Sequence, residues 1–387
     1  MTAILEKGPI SRAGISRETG LSKQTSSEIV RLLEETGWIE ETGLSKGKVG
    51  RSAVLYQIVP DSAYIVGVDL GGTSLTVALA DMTGDLVAQE TVPTSPRGGP
   101  QIIAQIAEIC RRLAERPAAG WEKVRLAVVG TPGVVDPVSG FIEFAPNIPG
   151  FDRLRVEDEL RHVLGIAVIV ENDVNLAVIG ERWRGAGQGV DDLVFIALGT
   201  GIGQGIMLDG KLLRGASGTA GEIGYLPLCT DPFTEQARSV GAFESAVGSK
   251  AILRLYRDEG GECETVRELF QRAEDGERRA ALVLDEIGSR LALGVAATAA
   301  LIDPEKVIFG GSIGGRPELL ERIRRKLEEC MRRPPVVEAS SLGRRAGIEG
   351  ALAYGIEELH RLTHGSGLIT SVPAVPTLTM APVSSSG

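Results

Sequence analysis

The stretch from Ile65 to Ala80, IVGVDLGGTSLTVALA, constrains the fold more than any other. Ile65, Val66 and Val68 are β-formers leading to Asp69. A Gly-Gly-Thr turn follows, and then Leu75, Val77 and Leu79 alternate with small or polar residues. That pattern is a strand, a tight turn and a second strand. Adjacent glycines let backbone N–H groups approach a phosphate closely. A carboxylate at a strand end is a hard oxygen ligand suited to hydrated Mg²⁺. The device recurs once: DLGGTSLTVALADMTGDLV and ALGTGIGQGIMLDGKLL both read strand, Gly/Thr turn, strand, turn, strand. This weak internal repeat predicts two similar α/β halves facing each other across a cleft, each with one phosphate loop.

Composition bounds what else the chain can be. Its 387 residues imply two or three domains, and 43% hydrophobic content suffices for large cores. No apolar run reaches the length of a membrane span, and MTAILEKGPISR lacks the apolar stretch of a signal peptide. Cys110, Cys229, Cys263 and Cys330 are scattered without a C-x-x-C pair. A reduced, cytoplasmic setting is the simplest reading. A net charge of −10 argues against wholesale nucleic-acid binding. Residues 1–60, however, hold 8 Lys/Arg against 7 Asp/Glu, so the acid excess lies downstream.

Those first 60 residues have their own pattern. Ser11 is placed to cap a helix to about Thr19, with Ile15 facing a core, and Gly20-Leu21 makes a turn. Ser22 is placed to cap a second helix that runs to about Thr36 and stops at Gly37. Ile29, Val30, Leu32 and Leu33 are the expected buried face; Ser22, Lys23, Gln24, Thr25, Ser27 and Arg31 are the expected polar front. Helix, short turn and polar-fronted helix form the helix-turn-helix arrangement, in which the second helix meets base edges. A hairpin follows, with strands from Trp38-Ile39 and from Ala53 to Val59. Its basic tip, Lys46, Lys48 and Arg51, makes a wing able to touch phosphates. The blander alternatives are a small α/β appendage and a solubilising loop. Ser26 stands where such helices usually bury Val or Ile, and Gly14 is a poor helix residue. The short first helix implies a chain that begins slightly late in this module.

Further on, a third strand is expected over Leu86 to Val92, a helix through Ile102 to Leu113, and a buried strand from Val124 to Val129 that leads to GTPGVVDP. A loop carries Asn147. A helix over Leu154 to Leu164 precedes a strand, Ile166 to Val170, that ends in ENDVN. Ligands gather at the carboxyl ends of strands in open α/β sheets, where Asp69 and Asp173 fall. A strand from Leu193 to Leu198 leads into GTGIGQG, and a glycine-rich loop carries Glu222. Helices are expected over about Ala242 to Tyr256, Val266 to Ala273 and through Leu284 and Leu291 to Leu301. A strand from Lys306 to Phe309 reaches Gly310-Gly311, a last helix spans Gly350 to Leu362, and residues 365–387 read as a disordered tail.

The ordered set GVDLGGT, GTPGVVD, NIPGF, ENDVN, LGTGIG, GEIG and FGGSIG, behind a winged helix, resembles the ROK family (repressors, open reading frames, kinases) from about Ser11 to about Leu362. The resemblance implies an α/β chain. A winged helix-turn-helix over 1–60 would precede a two-lobed actin-like ATPase (ribonuclease H-like) sugar kinase fold. The small lobe would span 61–180 with the helix 350–362, and the large lobe 181–349. It further implies that Asp69, Gly71, Gly72 and Thr73 form a phosphate and Mg²⁺ loop. Gly199, Thr200, Gly201 and Gly203 would form a second phosphate loop, and Gly310 and Gly311 a loop near adenosine. Asn147, Asn172, Asp173, Glu222 and Glu244 match sugar contacts, and the acid matching Asp173 is the general base in the family's kinases. The residue chemistry agrees, since a carboxylate can accept a proton from an attacking hydroxyl. Simpler roles stand beside these: Asp69 as a turn acid, Asp173 as a helix cap near Asn175, and Glu244 as a first-turn helix acid.

One departure is large. The family has His after GEIG and a C-x-C-x₄-C cluster that bind structural zinc; here Tyr225 replaces the His, and between Leu226 and Phe243 only Cys229 remains. One thiol cannot make a closed tetrahedral site, so no zinc is expected and Tyr225 is read as packing. No cofactor is required, with ATP and Mg²⁺ as optional ligands. The first expectation is a sugar-responsive repressor that binds palindromic operator DNA as a homodimer or higher oligomer. The second is an ATP-dependent, glucokinase-like sugar kinase with an accessory DNA-binding module.

Overall fold

A computed structural model describes residues 1–45, 52–115, 120–136, 139–143, 148, 150–151 and 154–362. Lys46, Lys48, Arg51, Asn147 and the 365–387 tail lie outside the described residues.

The N-terminal module runs α1 (Thr2–Lys7), β1 (Ile10–Ser11), α2 (Arg12–Thr19), α3 (Lys23–Glu35), β2 (Ile39–Leu44) and β3 (Val54–Ile58), with an antiparallel sheet in the order β1-β3-β2. Ser11 caps α2 by accepting the Gly14 N–H at 3.2 Å, and Ser22 caps α3 by accepting the Thr25 N–H at 3.1 Å. Gly20 turns the chain at φ 70°. The buried face of α3 is narrower than expected. Val30 and Leu33 are buried beside Ser26, but Ile29 is only half-buried and Leu32 is 41% exposed. Leu32 projects about 200° around the helix from Val30, away from the core.

The next lobe is built on β4 (Tyr64–Leu70), β5 (Ser74–Asp81) and β6 (Leu86–Pro93), followed by α4 (Gly99–Ala114), β7 (Val124–Thr131), a small hairpin β8 (Val134–Val135) and β9 (Ile142–Glu143), α5 (Val156–Leu164), β10 (Ala167–Asn172) and α6 (Asp173–Arg184). The sheet order is β10-β7-β4-β5-β6; the first three strands form an antiparallel meander, and β7 and β10 run parallel to β4. Strand alternation divides the faces. Val66 and Val68 share a core with Ile102, Ile106 and Leu160 of α4 and α5, while Ile65 packs on the opposite side.

The remaining chain is β11 (Leu193–Leu198), β12 (Ile202–Leu208), β13 (Lys211–Leu212), α7 (Glu235–Val240), α8 (Glu244–Val247), α9 (Ser249–Asp258), α10 (Val266–Glu274), α11 (Arg278–Ile302), β14 (Lys306–Gly310), α12 (Gly311–Gly314), α13 (Pro317–Cys330), β15 (Val336–Ala339) and α14 (Ala346–Leu362). Its sheet order is β13-β12-β11-β14-β15, again an antiparallel meander extended by two parallel strands. The two sheets therefore share one connectivity, which is the structural content of the internal repeat.

Helices α6 and α14 cross between the sheets, and glycine permits the crossing. A Cβ on Gly350 would lie 1.7 Å from the Leu176 carbonyl oxygen, and one on Gly180 would lie 2.3 Å from that of Ala346. Glu181 of α6, fully buried, anchors the segment that leads into α14. It accepts hydrogen bonds from the hydroxyls of Ser340 and Ser341 and the N–H groups of Leu342 and Ala186. The expected lobe boundary at 180/181 falls inside α6.

Several elements differ from the sequence reading. The expected helix over 242–256 breaks at Gly248, where a Cβ would meet the Thr200 carbonyl at 2.9 Å. The break sets α9 against the Gly199–Gly201 turn, with the Ser249 N–H donating to the Gly199 carbonyl at 3.3 Å. Helix α13 and strand β15 were not foreseen. Helix α14 begins four residues before Gly350, and α6 begins at Asp173 rather than near Asn175.

Candidate functional site

The two Gly/Thr turns sit at equivalent places, after the central strands β4 and β11. Asp69 is the penultimate residue of β4. The Gly71 N–H donates to the Ser74 carbonyl at 2.9 Å, closing the hairpin, and Thr94 braces the turn by donating to the Gly71 carbonyl at 2.7 Å and the Thr73 carbonyl at 3.1 Å. Gly72 and Thr73 are exposed at its tip. Gly71 thus spends its N–H on the turn. In the second lobe the turn is confined to Gly199–Gly201, because Ile202 already begins β12. Gly203 is therefore a strand residue and not part of the loop. Its lack of a side chain serves packing, since a Cβ there would lie 3.0 Å from Val174 Cγ2 of α6. Gly311, at φ 81°, lies against the end of β11, where a Cβ would fall 2.3 Å from the Leu198 carbonyl oxygen. Gly310 ends β14, packed on the Phe195 ring.

Four carboxylates gather around these turns. Asp69 lies against α14, with its Cγ 3.2 Å from where a Cβ on Gly347 would stand. Burial, reinforced by the Asp173 carboxylate, pushes the Asp69 pKa up to about 7. Burial pushes Asp173 up to about 6, opposed by the Val174 N–H that its carboxylate accepts at 2.9 Å. Glu222 is raised by burial and then by Glu244 and Asp173. Glu244 is raised by burial, opposed by the Ile202 N–H and by Lys250. Asp69, Asp173, Glu222 and Glu244 thus form one mutually repelling group. Acids held in this way are ready to share protons or to receive hydroxyl donors.

Two of the expected sugar contacts have structural duties. Asn172, rather than Asp173, is the cap of α6: its Oδ1 accepts the N–H groups of Val174 and Asn175 at 2.9 and 3.1 Å, and its Nδ2 donates to the Gly133 carbonyl at 3.0 Å. Asp173 occupies the first turn of the helix. Glu244 accepts the Ile202 N–H at 3.0 Å and fills the space above Gly201, where a Cβ would lie 2.3 Å from its Oε2. It therefore supports the second loop directly. Asp69, Asp173 and Glu222 are half-buried beside it.

Among the described residues, no group of three or more His, Cys, Asp or Glu could hold a metal ion. The residues present do not fit the zinc cluster that the family resemblance implies: Tyr225 stands beside Glu222 and Glu244, and Cys229 is exposed. Packing and hydrogen bonds support the loop after Glu222. Phe243 is fully buried, the Thr230 hydroxyl donates to the Ala242 carbonyl at 2.7 Å, and Thr234 caps α7 through the Ala237 N–H at 3.1 Å.

In the N-terminal module, Lys23, Gln24 and Thr25 are exposed at the front of α3 and Ser27 is half-buried. Ser22 is committed to capping. Gln24 donates to Glu28 at 3.2 Å, and Arg31 pairs with Glu35 at 3.0 Å along the same helix. The contact uses one nitrogen of the exposed Arg31 guanidinium.

Sequence reasoning missed a bridge between the lobes. Arg214, just after β13, donates from Nε to Glu171 Oε2 at 2.7 Å and from Nη2 to the Tyr354 hydroxyl at 3.0 Å. Glu171 Oε1 accepts from the Asn172 N–H and from Asn175 Nδ2, both at 2.9 Å. Glu171 stands inside the ENDVN motif, but nothing in the sequence pairs it with a residue 43 positions away.

Comparison with known proteins bears on this geometry. The ROK family model matches residues 65–358. The chain belongs to the ROK family. A winged helix-turn-helix DNA-binding model matches residues 1–40. The chain is 27% identical over 378 residues to a xylose repressor of Caldicellulosiruptor bescii, covering 93% of this chain and 94% of that one. It is 32% identical over 314 residues to a glucokinase of Thermotoga maritima, covering 74% of this chain and 95% of the enzyme. A crystal structure of a ROK family transcriptional regulator, a homologue of the E. coli MLC protein, superposes with a TM-score of 0.77 at 25% identity, covering 94% of this chain and 97% of the other. The fold is accordingly a winged helix-turn-helix joined to the ROK actin-like sugar kinase fold. Among the described residues, no helix is long and apolar enough to cross a membrane.

Proposed function

We propose that this ROK protein is a sugar-responsive transcriptional repressor that binds operator DNA through α3 and releases it when a sugar occupies the cleft. The observation that carries the reading is the coexistence of two intact parts in one chain. One is a capped, polar-fronted α3 at the surface. The other is a group of four half-buried acids around the two Gly/Thr turns, in which Glu222 is raised by burial and by the Glu244 and Asp173 carboxylates. Similarity to a xylose repressor over 93% of this chain supports the reading, whereas the match to the glucokinase covers 74%. The ligand class is a small polyol or aldose whose hydroxyls donate to Asp173 and Glu222. The protein acts as a homodimer, so that two modules address a palindrome. Sugar shifts the lobes only through its differential affinity for two arrangements.

A second reading, ATP-dependent sugar phosphorylation, is favoured by one observation: Asp173 titrates near 6, close to the range in which a general base works best. Asp69 with the Gly72-Thr73 tip, Gly199–Gly201 and Gly311 would then hold the nucleotide, with Asp69 supplying an oxygen ligand for Mg²⁺. Selection of genomic fragments by the purified chain, with and without D-xylose and D-glucose, tests the first reading. Enrichment of a palindrome that one sugar releases supports repression. Absence of enrichment together with sugar-dependent ADP formation overturns it in favour of the kinase.

A further inference from the structure

We infer that Arg214 is a positioning residue that locks the lobe arrangement in which the sugar-facing acids come together. The inference rests on the reading of the cleft as a sugar site. Arg214 follows β13 in the second lobe, whereas its partners Glu171 and Tyr354 belong to β10 and α14, which pack with the first. The guanidinium also lies over the Tyr354 ring, 5.4 Å from its centroid. The Glu171 side chain is only 10% exposed, so its charge is answered by this one arginine and two uncharged donors. Removing the cation leaves a nearly buried carboxylate half-answered, which costs more than the net worth of the bond itself.

Both ends of the bridge lead to the acids. On one side, Glu171 holds the Asn172 N–H and the Asn175 amide, and Asn172 caps the helix whose first residue is Asp173. On the other, the segment from Arg214 to Glu222 forms a strap across the cleft. The Ala220 N–H donates to the Arg214 carbonyl at 3.1 Å. Gly218, at φ 81°, presses its backbone against β8, where a Cβ would stand 3.0 Å from the Val135 carbonyl oxygen. Gly221, at φ 97°, turns the chain against β12, where a Cβ would fall 2.1 Å from the Gln204 carbonyl oxygen. The strap ends at Glu222. One side chain therefore ties the position of Asp173 in one lobe to that of Glu222 in the other, and opening the lobes separates both pairs at once.

The test compares wild type with Arg214→Gln, Arg214→Lys and Tyr354→Phe. Small-angle scattering without ligand reads the lobe arrangement alone: the expected result is a larger radius of gyration for Arg214→Gln, partial recovery with Arg214→Lys and a smaller shift of the same sign with Tyr354→Phe. Operator release by D-xylose and D-glucose reads the coupling. The sugar concentration for half-release should rise about tenfold in Arg214→Gln, with operator affinity in the absence of sugar raised, because the variant disfavours the arrangement that sugar selects. A merely structural role would lower both affinities together. Unchanged scattering overturns the inference, as does an unchanged half-release concentration. A wild type released by neither sugar counts against the sugar-repressor reading, and scattering then decides on Arg214 by itself.

Discussion

Replacing Asp173 by Asn tests the electrostatics of the cleft. Burial raises the Asp173 pKa from 3.8 to about 6, opposed by the Val174 N–H. A rise of about two units corresponds to roughly 3 kcal/mol held against the ionised form. The sign follows from linkage: a carboxyl group with a raised folded-state pKa stabilises the fold fully below its unfolded value near 4. That contribution is lost as pH rises through about 6. Asn keeps the shape and can still accept the Val174 N–H, so it escapes this loss. The variant should therefore match wild type near pH 4 and exceed it by up to about 3 kcal/mol at pH 8. Urea unfolding of both proteins at several pH values provides the assay. A stability difference that does not change between pH 4 and pH 8 would refute the reasoning, because it would mean that Asp173 ionises as freely in the fold as in water.

Three further substitutions probe other parts of the account. Gly350→Ala drives a methyl into the Leu176 carbonyl at the α6–α14 crossing and should cost more than about 3 kcal/mol in thermal unfolding, whereas an ordinary helical Gly→Ala stabilises. Glu181→Gln places an NH₂ group where each oxygen now accepts a backbone N–H; it should cost about 2–3 kcal/mol, and a neutral outcome would contradict the described network. Ser26→Val removes a buried hydroxyl that has no hydrogen-bond partner among the described residues, beside a cavity of about 230 Å³, and should stabilise the N-terminal module by about 1–2 kcal/mol with operator affinity unchanged.

The repeated strand-turn-strand pattern was legible because its apolar alternation and Gly/Thr turns are local, and it correctly announced two sheets of one connectivity. The caps Ser11 and Ser22 were legible for the same reason. Departures arise where a distant partner decides. Gly248 breaks a helix because the Thr200 carbonyl lies against it, and Gly203 lies in a strand packed on Val174. Asn172 takes the capping role considered for Asp173, and Glu244 turns inward to the Ile202 N–H. Strand β15 is four residues long and carries little pattern of its own; it exists because β14 offers it a parallel edge. The bridge from Arg214 to Glu171 joins residues that share no local pattern, so only the fold reveals it.

The most direct test of the central claim is fluorescence anisotropy of the purified chain on its selected operator duplex, titrated with the releasing sugar for wild type and Asp173→Asn. The account predicts that both proteins bind the duplex equally without sugar, and that sugar releases wild type but leaves the variant bound. Equal release of both would contradict it, because the cleft built around Asp173 would then have no part in the response.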